Sequence, residues 1–339
     1  MRSRGENTFY RTNGKNKETV ERIRQTQKIV NLKKHLFVFI NQKKDEYLMT
    51  VLIVSSTEDP ASTNIKKGLL EQSSWNEIDT FYDNTVYKHS NMKDIVIITI
   101  NDEMIRHENL DKEIEEKLGI KPKQAIFISR HRSKTGEPTL TTHPIGNYGD
   151  AQFGGKTRTL PKSSPRLMTH LIRIMKKNAE QAKLYHKVCL EVTHHGPYLD
   201  IPALFAEVGS NEDEWEKQEP ANTVAKSILE LLNSYHYEED LSSDIPVLLG
   251  IGGGHYAPRF TDIILEKKAA FGHMIPTYQI EAGNIDSEMF EKALKATPNV
   301  KAVYLHRKAL KKSQVSEYKK WFQDKGIPTI SSKELPDLD

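Results

Sequence analysis

Thr50–Ser56 reads TVLIVSS, and the reading of this run decides the fold. Its β-branched and apolar residues, closed by the turn signal Glu58-Asp59-Pro60, predict a buried strand. Residues 62–72 follow with Ile65, Leu69 and Leu70 at helical spacing. The same buried-strand signature returns at 94–100 (DIVIITI) and 124–129 (QAIFIS), with an amphipathic helix predicted between them over 110–118. Buried strands alternating with helices predict a three-layer α/β/α fold with a largely parallel or mixed central sheet.

Toward the C-terminus the alternation continues. Helical spacing over 165–184 runs through Leu167, Leu171, Ile174 and Met175, and 187–193 (KVCLEVT) reads as a strand. Strands are further predicted at 203–208, 246–251 and 300–306, and helices at 219–232, 263–268 and 314–325. Residues 130–165 break the pattern: they are rich in Gly, Pro, Thr, Arg and His, lack a period, and are expected to form a long functional loop. With no internal repeat and no linker beyond residue 49, residues 49–339 are expected to form a single catalytic domain.

Toward the N-terminus the character changes. Residues 1–47 hold 12 Lys/Arg against 5 Asp/Glu, whereas the other 292 residues hold 37 against 41, so the basic excess lies entirely in the arm. Residues 1–48 are therefore expected to be a basic extension, either a solvated tail or an arm that follows phosphates through counterion release. The polar start argues against a secretory signal, and the lone Cys189 fits a reducing compartment. The longest apolar runs, such as 95–100 and 247–251, are too short to span a bilayer. A soluble cytoplasmic protein is expected, monomeric and with no membrane partner.

Four motifs carry candidate chemistry. The first is Glu191-Val192-Thr193-His194-His195-Gly196-Pro197. Strand alternation would turn Glu191, Thr193 and His195 to one face and His194 to the other. Imidazole and carboxylate suit a catalytic zinc; a strand-end cap plus an exposed histidine is the structural alternative. The second is Gly250-Ile251-Gly252-Gly253-Gly254-His255-Tyr256, directly after a predicted strand. Its glycines allow backbone amides to surround an anion or a developing oxyanion, although a plain turn would need the same residues. It lacks the spacing of a Walker A or dinucleotide fingerprint. The third pairs Arg130, His131, Arg132 and Lys134 with His143 further along the same expected loop. The cations there can hold phosphate, and the histidines can bind metal or a proton. The fourth, Phe271-Gly272-His273, places one histidine among apolar residues, the usual setting of a satisfied core histidine. No G-x-S-x-G elbow or H-E-x-x-H helix is present.

Taken in this order, these stretches resemble the D-aminoacyl-tRNA deacylase family found in archaea and plants. The resemblance is carried by MTVLIVSSTEDPASTNI at 49–65, SRHRS at 129–133, TLTTHPIGNYG at 139–149 and LEVTHHGPYLDIPALFAEVGSNEDEW at 190–215. GIGGGHYAPRFTD at 250–262 and FGHMIPTY at 271–278 continue it, so it covers essentially Met49 to the C-terminus. It implies a zinc-associated hydrolase that cleaves the ester of D-aminoacyl-tRNA, on a fold similar to those of peptidyl-tRNA hydrolase and nucleoside phosphorylases. A partner tRNA is implied, and no DNA.

The chemistry of the side chains then suggests roles. Glu191, His194, His195 and His255 are the candidate catalytic residues, with Glu191 as base or as the carboxylate that orients a histidine. Zn²⁺ ligands are sought among His131, His143, His194 and His195. Arg130, Arg132 and Lys134 are expected on phosphates, and Gly252, Gly253 and Gly254 as oxyanion donors. The alternatives are an enzyme like peptidyl-tRNA hydrolase or nucleoside phosphorylase, and a tRNA-binding protein without catalysis.

Overall fold

In the computed structural model, which describes residues 50–92, 95–234 and 244–338, the opening run forms strand β1 (Thr50–Ser56), buried throughout. The basic extension expected over 1–48 lies outside the described residues. Helix α1 (Pro60–Gln72) starts where Asp59 accepts the Ser62 amide and Pro60 takes the first turn. A hairpin of β2 (Trp75–Phe81) and β3 (Asn84–His89) follows, turning through Tyr82 and Asp83, both at positive φ. Next come β4 (Ile95–Ile100), α2 (Leu110–Leu118), β5 (Pro122–Arg132) and β6 (Thr139–Pro144). Helix α3 (Pro165–Gln181), β7 (Lys187–Leu190), β8 (Ala203–Ser210), α4 (Glu212–Trp215) and α5 (Gln218–Ser234) continue the chain. After β9 (Val247–Ile251) come α6 (Pro258–Glu266), β10 (Ala270–Ile275), α7 (Thr277–Glu281) and α8 (Ser287–Ala296). Strand β11 (Val300–Leu305), α9 (Lys312–Asp324) and β12 (Thr329–Ile330) close it.

These strands form two sheets. The larger runs β2-β3-β4-β1-β5-β8-β6-β7 and is mixed, with a parallel centre of β4, β1, β5 and β8. The smaller, β10-β9-β11-β12, is parallel throughout. One core joins α1, α3, α5 and α6 to strands of both sheets, and a second packs α8 and α9 on the smaller sheet. The α/β class and mixed sheet follow the expectation from the strand runs. No helix among the described residues is long and apolar enough to cross a membrane.

Among the segments that differ from expectation, two shape the site, while the β2–β3 hairpin has no counterpart in the sequence reading and the helix expected over 263–268 is Pro258–Glu266. Part of the loop expected over 130–165 is strand: β5 extends to Arg132, and TLTTHP forms β6, antiparallel to β8. Every residue of β6 is buried, so both of its faces carry threonines or His143 into the interior and no period-2 contrast marks it. Conversely, the strand expected over 187–193 stops at Leu190. Glu191 N–H still bonds Thr142 O, but Val192 N–H bonds His255 O and Thr193 N–H bonds Met274 O. The chain here leaves the larger sheet and stitches it to the smaller one.

Candidate active site

The site begins on three adjacent strands of the larger sheet. Glu207 of β8 lies in register between Ser129 of β5 and Thr141 of β6, and His143 lies opposite Phe205. Buried Glu207 accepts the Ser129 hydroxyl at 2.7 Å and the Thr141 hydroxyl at 3.4 Å. His131 Nδ1 stands 3.5 Å from its Oε2, and His143 Nε2 stands 3.7 Å from its Oε1. Burial would raise the Glu207 carboxyl, but the neighbouring His131 and His143 hold it well below the usual range.

The stitching segment supplies the second half. Glu191 is fully buried, with His131 Nδ1 at 3.2 Å from Oε1, and His255 Nε2 at 3.0 Å and His194 Nε2 at 3.6 Å from Oε2. Among the described residues, neither carboxylate oxygen receives a well-aligned hydrogen bond, so these contacts are electrostatic. Burial would raise this carboxyl too; His255 and His131 outweigh that and lower it. In return, burial opposes a charge on His131, yet Glu207 and Glu191 raise it to about 9. The Tyr256 hydroxyl lies 3.1 Å from His131 Nε2.

His143, His194 and His195 form a cluster whose rings are 4.0 to 4.8 Å apart. Each presents Nδ1 to a backbone carbonyl: His143 to Pro144 O at 3.2 Å, His194 to Val192 O at 2.8 Å, His195 to Gly196 O at 2.7 Å. In a neutral ring, Nδ1–H then donates and Nε2 keeps its lone pair, the tautomer that metal-ligating histidines adopt. Among the described residues, His143 Nε2 is buried without a hydrogen-bond partner. Burial and the neighbouring His143 lower His194 well below its ordinary value and His195 to about 4, while Glu207 raises His143 against burial.

Among the described residues, His143, His194 and His195 have ligand atoms close enough to hold one metal ion, and so do His131, Glu191 and His255; a third such group, His143, Glu191 and Glu207, shares a residue with each of these two sets. Each set has a buried, unpaired atom that a cation would satisfy, so both donor sets fit a metal. His131, expected beside His143 as a ligand, therefore stands in the other group.

Several expectations are corrected. The alternation that would group Glu191 with His195 does not occur, because the strand has ended: His194 approaches Glu191, and His195, at φ 41°, packs on His143. The amides of Gly252 and Gly253 are not free for an oxyanion, since they donate to Ile275 O at 2.8 Å and Thr277 Oγ1 at 2.9 Å. The glycine run and Gly254 instead carry the chain to His255. Arg130 and Arg132 lie beside Trp215, with Arg132 also bonded to Glu212 at 2.5 Å, and both border the cleft. Lys134 is exposed and does not line it. His273 is a satisfied core histidine, between Thr193 Oγ1 at 3.1 Å and Pro161 O at 2.9 Å. Burial pushes the Cys189 thiol up, which leaves it inert.

Sequence reading missed Glu207 and Asp59. Glu207 is the one carboxylate in the otherwise apolar or small strand ALFAEVGS, and that contrast was the available signal. Asp59 borders the cleft while capping α1 and accepting the Arg130 amide at 2.9 Å; burial pushes it up to about 6.

The cleft is open on one side and walled by His131, His194, His195, His255 and Glu207, with Met104, Ile105 and Phe153 as its apolar part. Beside Ile105 and Phe153 of its lining, three backbone segments cross. A Cβ on Gly154 would stand 1.6 Å from Ile105 O, and one on Gly196 would stand 2.1 Å from Gly155 N. Gly154→Ala, also at φ +74°, is therefore expected to lower stability by about 3 kcal/mol, read as a drop in the urea midpoint. A midpoint equal to the wild type would mean that the three strands of chain can part at no cost.

A model of the family described as D-aminoacyl-tRNA deacylase matches residues 118–330, a span that contains both donor groups. The D-aminoacyl-tRNA deacylase of Thermococcus onnurineus (strain NA1) is 40% identical over 263 residues, covering 77% of this chain and 92% of its own length. The protein of that name from Pyrococcus horikoshii is 39% identical over 282 residues, covering 82% and 98%. A solved structure of a conserved protein of unknown function, AF0625, superposes with TM-score 0.76 at 29% identity, over 86% of this chain and 99% of that one.

Proposed function

We infer that this chain, which belongs to the D-aminoacyl-tRNA deacylase family, hydrolyses the ester joining a D-amino acid to tRNA at its histidine–glutamate cleft. The observation that carries the reading is the coincidence of that family match with a buried donor set facing an open cleft. An aminoacyl ester is already activated, so the site has to position water, accept its proton and balance the charge that develops on the carbonyl oxygen.

The residues divide those tasks. His143, His194 and His195 are the proposed zinc ligands, supported by their three Nδ1 bonds to backbone carbonyls. A zinc ion held there would supply a bound water of lowered pKa and polarisation of the ester carbonyl. His255, the most exposed of the histidines that face Glu191, takes the water proton and returns it to the ribose oxygen that leaves. Glu191 lies behind it, fixes its ring and balances the imidazolium that forms. His131, raised by two carboxylates, is the cation facing the cleft and takes the oxyanion role that the bound amides of Gly252 and Gly253 do not fill. Arg130 and Arg132 hold phosphates of the tRNA end at the rim.

A second reading is favoured by the unpaired oxygens of Glu191: His131, Glu191 and His255 hold a second zinc, and Glu191 is then a ligand. Metal analysis separates the two, with one zinc per chain for the first and two for the second.

The test of the function is deacylation of D-Tyr-tRNA against L-Tyr-tRNA by the purified chain, before and after chelation. Turnover of the D-ester alone, lost on chelation and restored by zinc, is expected. Equal turnover of both esters would sink the chiral role. Unchanged turnover after chelation, with no zinc left bound, would sink the metal.

A further inference from the structure

Phe153 is 62% exposed, and it borders both the cleft and a second cavity that, like the cleft, is lined by His194 and His195. An exposed phenylalanine on a loose loop would call for no explanation. This loop is not loose. Gly154 packs backbone to backbone on Ile105, and Gly155 on Gly196. Phe153 O accepts the Gly196 amide at 3.0 Å, Asn147 Nδ2 donates to Gly154 O at 2.8 Å, and Glu108 Oε1 accepts the Gly155 amide at 2.6 Å. The other carboxylate oxygen of Glu108 accepts the Tyr198 amide at 2.7 Å, so one side chain clamps this loop to the chain just beyond His195. Tyr185, as exposed as Phe153, has its hydroxyl bound by Glu214, whereas Phe153 has no polar handle.

A rigid backbone thus holds a bare aromatic face beside the reacting histidines. Along the same loop stand Lys156, over the Tyr198 ring, and Arg158, ion-paired with Asp286, while Arg130 and Arg132 also line the cleft. Aromatic faces next to cationic groups are how proteins seat single-stranded nucleotides, the bases stacking and the phosphates pairing.

We propose that Phe153 is the platform on which the 3′-terminal adenine of the tRNA stacks, placing the ester against His194 and His195. The proposal rests on the deacylase reading for its substrate. Phe153 acts here as a positioning residue, because it holds the nucleotide and exchanges no proton.

The test is steady-state deacylation of D-Tyr-tRNA by wild type, Phe153→Ala and Phe153→Trp, with AMP and ribose 5-phosphate as inhibitors. Loss of one stacked base is expected to raise KM about tenfold in Phe153→Ala with kcat nearly unchanged, and Phe153→Trp should restore it. AMP should compete with the tRNA, and Phe153→Ala should weaken that inhibition by a similar factor. Unchanged KM and AMP inhibition in Phe153→Ala would overturn the proposal, as would ribose 5-phosphate inhibiting as well as AMP. Should the wild type fail to cleave the ester, the function falls alone. Calorimetric AMP binding, compared between wild type and Phe153→Ala, then still decides the platform.

Discussion

Replacing Glu191 by glutamine should lower kcat for D-Tyr-tRNA on the order of 10³-fold, the largest loss expected of any conservative change in this chain. The substitution keeps the volume of a fully buried side chain and changes only its charge and one acceptor. Three imidazoles lean on that charge, through His131 at 3.2 Å, His255 at 3.0 Å and His194 at 3.6 Å. Without it, His255 has no partner for the proton it takes up, and the His131–Glu191–His255 group loses its one anionic donor. AMP inhibition should persist, because Phe153 and the rim arginines are untouched. Turnover within tenfold of wild type would remove Glu191 from the mechanism. Zinc content adds a second readout: it should hold at one per chain if Glu191 only orients His255, and fall from two to one if Glu191 is a ligand.

Glu207→Leu should cost about 3–5 kcal/mol of stability, because it removes one side of a buried, charged network and leaves the other side in place. The Ser129 and Thr141 hydroxyls lose their acceptor, and His131 loses a carboxylate that supports its charge. Glu207→Gln should cost less, since an amide oxygen can still accept from Ser129. The order wild type, glutamine, leucine in urea midpoints is the expected result. A leucine variant within 1 kcal/mol of wild type, on the order of one ordinary hydrogen bond, would show that the network contributes nothing net.

The two carboxylates differ in how far the sequence reveals them. Glu191 stands next to paired histidines before Gly-Pro, so its neighbours in the chain announce it. Glu207 has no such neighbours: its partners Ser129, His131, Thr141 and His143 lie on two other strands and meet it only through sheet register. The glycine run shows the opposite error. Three successive glycines read as free amides, but two of those amides are bound by Ile275 and Thr277, which lie far along the chain. The β2–β3 hairpin escaped notice for a local reason, because its two-residue turn uses Tyr82 and Asp83 where glycine or asparagine is the usual signal.

By itself the sequence determined the α/β class, because buried strands and amphipathic helices are written in local periodicity. It also marked His131, His143, Glu191, His194, His195 and His255 as the residues to watch. Only the tertiary structure decided how they divide. Val192 and Thr193 leave the larger sheet to bond His255 and Met274, so the strand ends at Leu190 and alternation no longer sets which way each side chain points. His194 thereby faces Glu191, His195 joins His143, and His131 and His255 gather on Glu191. Which side chains share a proton or a metal is a matter of a few ångströms between segments distant in sequence, and packing alone sets those distances.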